Sequence, residues 1–462
     1  DIQADGILIA GSSGTITNSG LIRKTTTTGE SGLSFVDLEN AGGTIQVESG
    51  TFSFTQGNPK SFTGGTINVF PGATFDIDSP TPLSGTIEGQ VDGDLIFDAI
   101  ISVTETAVIN FTGDGNVNSL QNIIQGGGTL ANQGNFNIVG ATILQEGTTV
   151  NNSGVINLMS GSGLSIPDGT INNEVTGVID LNSNSSTSIT PGFGTEIGLI
   201  NNAGLLRKTT SGNQNISVDV VNTGTIDVVM GELSMNQSGG RNFINAPTGI
   251  VKGNGTFNLP PTTNYTNEGT FAPGASPGTL LVVGDFESTA SSVLEIELDG
   301  PTQGSEYDLL AISGNADLDG ELQVILNYEA GLNDAFTIAT TTGSINNCNL
   351  PTTVTSNFDG ATYQISVDCV NGNELALNVT DILLSTQQEE LEQVNIYPNP
   401  SQGVVFVNGT DISKITVFDI EGRRVLETKR IEVDIEHLEN GVYLMEIIDK
   451  DGLRGVRRVV KF

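Results

Sequence analysis

The phrase NSGLIRKTTTTG occupies residues 18–29, and a near copy, NAGLLRKTTSG, returns at residues 202–212. Each copy begins with Asn, a small residue, Gly and two apolar residues. Exact or looser forms of that short unit recur along the first part of the chain, and they begin at Asn18, Asn40, Asn132, Asn152, Asn173, Asn202, Asn222, Asn245 and Asn267. Several neighbouring copies are 20–23 residues apart, and one step is 29. This spacing is the pattern from which the fold can be predicted.

A period near 21 residues is typical of a β-solenoid, in which three short strands and three tight corners make one coil. Segments such as Thr44-Ile45-Gln46-Val47 alternate as half-buried strands do. We expect Asn and Gly to turn the corners because both tolerate positive φ, and we expect stacked Asn side chains to form ladders between coils. The sequence therefore predicts an all-β fold, with a right-handed parallel β-helix (β-solenoid) over residues 1–272.

The two long copies also continue alike beyond the Arg-Lys pair, as FVDLENAGGTIQVESGTFSF at 35–54 and VDVVNTGTIDVVMGELSM at 218–235. This indicates that a block of two coils is present twice. The basic residues of the phrase are candidate contacts for an acidic glycan or a partner carboxylate: Arg23, Lys24, Arg207 and Lys208. We favour the alternative that they neutralise neighbouring acids, because two isolated pairs do not make a basic stripe.

Charge is distributed unevenly along the chain. Residues 1–393 contain 42 acidic and 7 basic residues, whereas residues 394–462 contain 11 and 10. Such a break predicts a domain boundary, with residues 381–393 as a polar linker. The acidic part would repel nucleic acids and anionic lipids, so neither is expected as a partner. No apolar stretch approaches the ~20 residues of a membrane-spanning helix, and any signal peptide is expected to have been removed before Asp1.

Few residues suit catalysis in the predicted solenoid. The single His437 lies near the C-terminus, which excludes a Ser-His-Asp arrangement earlier in the chain. Three Asp-x-Asp pairs could hold Ca²⁺ or perform acid-base chemistry, namely Asp76/Asp78, Asp92/Asp94 and Asp317/Asp319, but such pairs are more often solvated. We therefore predict no catalytic residues, no metal site and no cofactor. A polysaccharide lyase or hydrolase is the alternative.

The two cysteines, Cys348 and Cys369, are too few for a zinc site and have no nearby His. In an oxidising compartment they could join one hairpin, and we predict that disulfide.

From residue 273 the Asn-Gly repeat is replaced by a different pattern, which begins with PGASPGTLLVVG and continues with YDLLAISGNADLDGELQVIL from residue 307. This stretch resembles a segment near the end of large bacterial surface proteins, which closes the β-helix of autotransporter passengers. The resemblance implies closing coils or a β-sandwich cap over residues 273–380, as a solenoid end with exposed strand edges requires.

The last segment, residues 394–462, contains YPNPSQG, then VFDIEGRRV, then LENGVY, and a basic final strand. On its residues alone it is predicted to be a small β-sandwich. It closely resembles the C-terminal sorting domain of type IX secretion cargo, with the family positions filled by Tyr397, Pro398, Asn399, Pro400, Gly403, Gly422, Gly441, Tyr443 and Lys461. The resemblance implies export by the type IX machinery. It also implies removal of the domain, followed by attachment to surface lipopolysaccharide or release.

These observations favour a secreted, cell-surface β-solenoid that acts as an adhesin or a structural stalk, with an unidentified glycan or protein ligand. A further alternative is that the chain is the C-terminal stalk of a larger surface protein.

Overall fold

The computed structural model describes residues 1–55, 59–120, 122–159, 161–183, 189–192, 197–235, 240–275, 277–384, 394–408, 412–450 and 453–462. These residues form strands and turns, and no helix occurs among them. They make two compact units, Asp1–Leu383 and Leu384–Phe462, and each unit has its own hydrophobic core. The predicted all-β fold is confirmed.

The first unit opens with long strands that continue around corners and then changes to short ones. Its first thirteen strands are β1 (Gly6–Asn18), β2 (Leu21–Lys24), β3 (Glu30–Asn40), β4 (Thr44–Val47), β5 (Thr51–Thr55), β6 (Lys60–Val69), β7 (Thr74–Asp78), β8 (Thr81–Gln90), β9 (Asp94–Phe97), β10 (Ile101–Ser102), β11 (Thr106–Thr112), β12 (Asn116–Ser119) and β13 (Ile123–Gln125).

The middle of the unit repeats short strands in groups of three. They are β14 (Thr129–Asn132), β15 (Asn135–Ile138), β16 (Ala141–Leu144), β17 (Thr149–Asn152), β18 (Val155–Leu158), β19 (Gly163–Ser165), β20 (Thr170–Asn173), β21 (Val178–Leu181), β22 (Ile189–Thr190), β23 (Leu199–Asn202), β24 (Leu205–Lys208), β25 (Asn213–Asn215), β26 (Asp219–Asn222), β27 (Thr225–Val228), β28 (Glu232–Ser234), β29 (Asn242–Asn245), β30 (Ile250–Gly253), β31 (Thr256–Asn258), β32 (Asn264–Asn267), β33 (Thr270–Pro273) and β34 (Thr279–Val283).

The closing part of the unit contains β35 (Phe286–Glu287), β36 (Val293–Leu298), β37 (Leu309–Ile312), β38 (Ala316–Leu318), β39 (Glu321–Leu326), β40 (Ala335–Thr341), β41 (Ile345–Cys348), β42 (Thr353–Phe358), β43 (Ala361–Val370) and β44 (Glu374–Leu384). The second unit contains β45 (Asn395–Tyr397), β46 (Val404–Asn408), β47 (Ile412–Phe418), β48 (Arg424–Thr428), β49 (Glu432–Asp434), β50 (Gly441–Asp449) and β51 (Arg454–Lys461).

Parallel pairing between successive coils stacks the strands into three ladders. Ladder 1 runs through β11, β14, β17, β20, β23, β26, β29 and β32. Ladder 2 runs from β9 through β12, β15, β18, β21, β24, β27, β30, β33 and β36 to β39. The third side is formed first by β10, β13, β16, β19 and β22, and later by β25, β28, β31, β34, β37 and β40. The predicted parallel β-solenoid is confirmed.

The corner asparagines of ladder 1 lie directly above one another inside the solenoid. In register they are Asn132, Asn152, Asn173, Asn202, Asn222, Asn245 and Asn267, and all are buried. Each Nδ2 donates to the Oδ1 of the next Asn over 2.7–2.8 Å. Each of the first six also donates to a backbone carbonyl of the following coil, as Asn202 does to Thr225. The predicted Asn ladder is confirmed, and Asn18 and Asn40 form a separate pair.

The glycines of these corners are required for close packing of the backbone and not, as expected, for a positive φ. None of the ladder asparagines, and neither Gly204 nor Gly224, has a positive φ. A Cβ placed on Gly224 would instead lie 2.3 Å from the carbonyl oxygen of Gly204 in the coil below. The explanation by positive φ was therefore wrong at these corners. Glycine is needed here because the backbones of successive coils approach closely.

The coils continue beyond residue 272 without a break, since β33 pairs with β36 and β36 with β39. Of the two alternatives for residues 273–380, the structure has closing coils, followed by an antiparallel layer in which β40 pairs with β44 and β42 with β43. Residues 381–384 belong to β44, and the rest of the predicted linker, 385–393, lies outside the described residues. A disulfide joins Cys348 to Cys369 across this closing region.

Asp308, the acid of the YD segment, connects that segment to the PGASPG loop of the closing region. Its buried carboxylate accepts the backbone N–H of Gly278 on one oxygen and that of Glu297 on the other, each over 2.8 Å. Burial raises the pKa of Asp308 to about 6, against the effect of these two hydrogen bonds. The carboxylate thus ties the PGASPG loop to β36.

The second unit consists of two antiparallel sheets, β45-β46-β49 and β48-β47-β50-β51. Their facing residues form one core that includes Val405, Val417, Met445 and Val459. The predicted C-terminal β-sandwich is confirmed.

Candidate functional site

The two arginines of the repeated phrase point outward and pair with acids. Arg23 lies 3.1 Å from Asp1 and 3.9 Å from Glu48. Arg207 donates through Nε and Nη2 to one oxygen of Asp180, over 3.2 and 2.7 Å. The side-chain hydrogen bonds that Arg207 donates to Asp180 raise the pKa of Arg207 above its ordinary value, so this guanidinium stays charged.

Arg207 belongs to a column of alternating charge on the outside of ladder 2. The column runs in register from Asp180 through Arg207 and Asp227 to Lys252. Opposite charges therefore face each other between successive coils. This position supports the interpretation that the arginines neutralise neighbouring acids.

The two lysines of the phrase are inside the solenoid, with no exposed surface. Lys24 donates to the carbonyl and hydroxyl oxygens of Thr27 and lies 3.5 Å from Asp5. Lys208 donates to the carbonyl and hydroxyl oxygens of Thr210, and burial lowers its pKa. Because both ammonium groups are buried, neither can reach a glycan or a carboxylate on a partner. Lys24 and Lys208, which the sequence offered as candidate anion or glycan contacts, are therefore not available for that role.

A glycine of the following coil packs against the threonine carbonyl that each buried lysine binds. Gly50 has φ +63° and Gly231 has φ +72°. A Cβ on Gly50 would lie 2.7 Å from the carbonyl oxygen of Thr27, and one on Gly231 would lie 2.4 Å from that of Thr210. The repeated phrase is thus a corner in which a buried ammonium binds the carbonyl that the next coil covers.

Two of the three Asp-x-Asp pairs bind neighbouring polar groups. Asp92 accepts the N–H of Asp114 and the amide of Gln90, and Asp94 accepts the amide of Asn116. Asp317 and Asp319 accept the amides of Asn347 and Asn349, respectively. All of these hydrogen bonds except the one from Gln90 connect successive coils, and they give the carboxylates a structural role.

The third pair has a different environment. Burial raises the pKa of Asp76, and the charges of Asp78, Asp98 and Glu30 add to the effect. One oxygen of Asp76 is buried without a hydrogen-bond partner among the described residues. Within the same residues, no group of three or more His, Cys, Asp or Glu could hold a metal ion.

Uncharged polar side chains cover much of the outside of the middle coils. Outward amides connect Asn151, Asn172 and Asn201 over 2.9 Å. On the third side, a groove of about 550 Å³ crosses β16, β19 and β22 and is lined by residues such as Gln145 and Ser165. Hydroxyl, amide and apolar groups are therefore what this surface offers to a partner.

A second, smaller cleft was not predicted. It lies where ladder 1 ends, has a volume of about 260 Å³ and is lined in part by Pro261, Tyr265, Asp285 and Glu287. The sequence gives only a weak signal for it: Tyr265 is the first tyrosine of the chain and is followed 20 residues later by two acids at i and i+2.

In the second unit, the YPNP segment holds the last strand. The side chain of Asn399 donates to the carbonyl of Arg458 over 2.6 Å and accepts the N–H of Val460 over 2.9 Å. Pro398 and Pro400 follow cis peptide bonds, and the ring of Tyr397 stacks on Phe406. The segment therefore acts as a short partner for β51.

Of the other five motif residues, two are buried, one lies in a turn, and two have no structural explanation. Tyr443 is buried and donates to the carbonyl of Glu439, and Lys461 is buried on the last strand. Gly422 has φ +79°, which the turn after Asp419 requires. Nothing in the structure explains why Gly403 and Gly441 are glycines.

A parallel β-solenoid and a separate antiparallel sandwich define this chain as a repeat protein with an appended C-terminal domain. Residues 395–461 match the family model of the secretion system C-terminal sorting domain. These residues are a type IX sorting domain, so the protein is secreted and is handled by the type IX machinery. No curated protein matches the chain. The described residues include no helix that is long and apolar enough to cross a membrane.

Proposed function

We propose that the protein displays its β-solenoid at the cell surface, where the solenoid acts as an adhesin or a structural stalk, and that it has no catalytic activity. The observation that carries this proposal is the uninterrupted Asn ladder from Asn132 to Asn267. Because each coil is hydrogen-bonded to the next both through the backbone and inside the corner, these coils form a continuous, rigid stack.

The outer surface supports binding over an extended area. The bases of the repeated phrase are buried or paired, and the middle coils present hydroxyl, amide and apolar groups. Such a surface suits many weak polar contacts with a glycan or protein, which become strong only when they act together. After export, we propose that the sorting domain is removed and that the solenoid is attached to surface lipopolysaccharide, as the family resemblance implies.

Deletion of residues 1–383 from the encoding strain, with a leader and the sorting domain retained, tests this function. We expect weaker attachment of cells to glycan-coated and protein-coated surfaces, with restoration by the full chain. Immunofluorescence and protease accessibility on intact cells measure whether the solenoid is displayed. Unchanged attachment of the deletion strain would exclude an adhesin, and a solenoid found only inside the cells would exclude the stalk as well.

Asp76 favours a second candidate function, a polysaccharide lyase or hydrolase. Its raised pKa is a property of general acids. Purified protein would be incubated with acidic and neutral polysaccharides, with and without Ca²⁺, and new reducing ends or unsaturated products would be measured. Product formation that is lost in Asp76→Asn but kept in Asp114→Asn, which changes an exposed acid, would establish the enzyme and contradict the non-catalytic proposal.

A further inference from the structure

The cleft at the end of ladder 1 is lined in part by an aromatic side chain. Tyr265 on β32 lies in register with Phe243 on β29, and the two rings stack with centroids 5.8 Å apart and planes 8° apart. No described strand continues ladder 1 beyond β32, because β35 pairs with β38 in another sheet. One face of Tyr265 is therefore covered by Phe243, and the same side chain lines the cleft.

Two carboxylates stand beside this ring. Asp285 and Glu287 are both exposed and lie at i and i+2 of the same segment. Asp285 uses Oδ1 to accept the backbone N–H and the side-chain amide of Asn315. The backbone of Glu287 pairs with β38, but its carboxylate makes no hydrogen bond or ion pair within the described part of the chain. The cleft thus combines an aromatic face with carboxylate oxygens that remain open to a ligand.

The hydroxyl of Tyr265 is buried and lies in the field of a neighbouring carboxylate. The hydroxyl oxygen of Tyr265 is buried and has no hydrogen-bond partner among the described residues. Burial raises the pKa of Tyr265 well above its ordinary value, and the charge of Glu287 adds to this rise. A positive group in the cleft would offset the negative charge of Glu287.

We propose that this cleft binds an organic cation, namely the guanidinium or ammonium group of a basic side chain or a polyamine. The quadrupole of a tyrosine ring attracts a cation, and adjacent carboxylates add charge-assisted hydrogen bonds. The volume of about 260 Å³ is below the roughly 300–1,000 Å³ of pockets for drug-sized ligands. It therefore fits one side-chain head group better than an oligosaccharide.

Other ligand classes fit the cleft less well. An anion would be repelled by Asp285 and Glu287. A bare metal ion would find two carboxylates where the described residues provide no third His, Cys, Asp or Glu. A neutral sugar would stack on Tyr265 but would leave both charges without a counterion. The inference does not depend on the adhesin role, because it concerns binding by the isolated protein.

The test is direct binding to the purified full-length protein, measured by saturation-transfer NMR and calorimetry. The probes are L-arginine amide, a Gly-Arg-Gly peptide amide and putrescine, with N-acetylglucosamine and CaCl₂ as alternatives. We expect both the arginine probes and putrescine to bind, and the tighter class identifies the natural source. Binding should weaken about fivefold in Glu287→Gln and about tenfold in Tyr265→Leu, as expected for the loss of one charge contact and of the ring.

The matched control is Glu105→Gln, which removes the same charge from an exposed position in a different coil. It should leave the affinity unchanged. Equal weakening in Glu105→Gln would show general attraction to an acidic protein and overturn the proposal. Failure of the cations to bind would overturn it too, as would preferential binding of the sugar or of Ca²⁺. If Tyr265→Leu loses its native circular dichroism, Asp285→Asn and Glu287→Gln decide the question, since both positions are exposed.

Discussion

The coils that begin at Asn18 and at Asn202 share one phrase, but the surrounding structure supports them differently. Asn18 donates to Asn40 and belongs to a pair, whereas Asn202 lies in the middle of the long ladder. Lys24 has Asp5 beside its ammonium, whereas Lys208 has no acid within ion-pair distance among the described residues. The same residues therefore contribute differently to stability in the two copies, because the neighbouring coils determine which polar groups have a hydrogen-bond or ion-pair partner.

The interiors differ as well. In the first copy, Phe52 and Phe54 form an aromatic cluster with Phe75 of the next coil, with ring centroids 5.0–5.6 Å apart. In the second copy the corresponding core positions are Leu233 and Met235. The same corner sequence is thus compatible with an aromatic core and with an aliphatic one. The corner residues therefore specify the path of the coil, and the core residues need only match the volume of its interior.

The largest effect is expected from the ladder. Asn202→Ala should lower the free energy of unfolding by about 3 kcal/mol, because it removes the acceptor for Asn173 and leaves buried oxygens of Asn222 and Thr225 without that donor. Asn18→Ala should cost about half as much, since no buried asparagine among the described residues donates to Asn18 and its contacts with Thr44 and Gly20 are only partly buried. Guanidinium denaturation followed by circular dichroism measures both, and hydrogen exchange shows which coils open.

Asn201→Ala is the control for this substitution, because Asn201 is adjacent but points outward. We expect a loss below about 1 kcal/mol there. A loss equal to that of Asn202→Ala would mean that the inner ladder contributes nothing special.

An intermediate effect is expected from the arginines. Arg207→Gln should cost about 2 kcal/mol, because Asp180 is buried and would lose its charged partner. Arg23→Gln should cost less than about 0.5 kcal/mol, since Asp1 and Glu48 are solvated. Thermal and guanidinium denaturation of both variants at pH 7 would check this, and a larger loss for Arg23→Gln would contradict the assignment.

Much of the solenoid could be predicted because one spacing determines it. The Asn period specifies the coil length, and it also brings the asparagines into register. The lysines could have been placed too: in Leu205-Leu206-Arg207-Lys208, alternation gives Lys208 the same side as buried Leu206. We placed them at the surface because charged residues are rarely buried.

Other features depend on where a ladder stops, and no local pattern shows that. The cleft at Tyr265 exists because β32 is the last strand of ladder 1 among the described residues, while β35 joins a different sheet. The boundary expected at residue 272 was based on a change in composition, but β33 and β36 continue the same ladder across it. A change in residue usage can thus mark a change of coil type within one core.

A small effect of the opposite sign is expected at the lysines. Lys208→Met should change stability by less than about 1 kcal/mol at pH 7 and in the stabilising direction, because an apolar chain replaces a charge that burial disfavours. The folded-state pKa of Lys208 lies below its ordinary value of 10.5. Between these two values the unfolded chain holds the extra proton, so stability rises with pH in that window.

Lys208→Met should remove this rise, whereas Lys24→Met should keep it because Lys208 is still present. The guanidinium midpoint of the three proteins, measured at intervals from pH 7 to 10.5, separates the cases, since the titration of all other groups is common to them. Equal slopes in the wild type and in Lys208→Met would show that the ammonium is not disfavoured by its burial. The absence of an acid beside it would then be of no energetic consequence, and the two copies of the phrase would differ only in their asparagines and arginines.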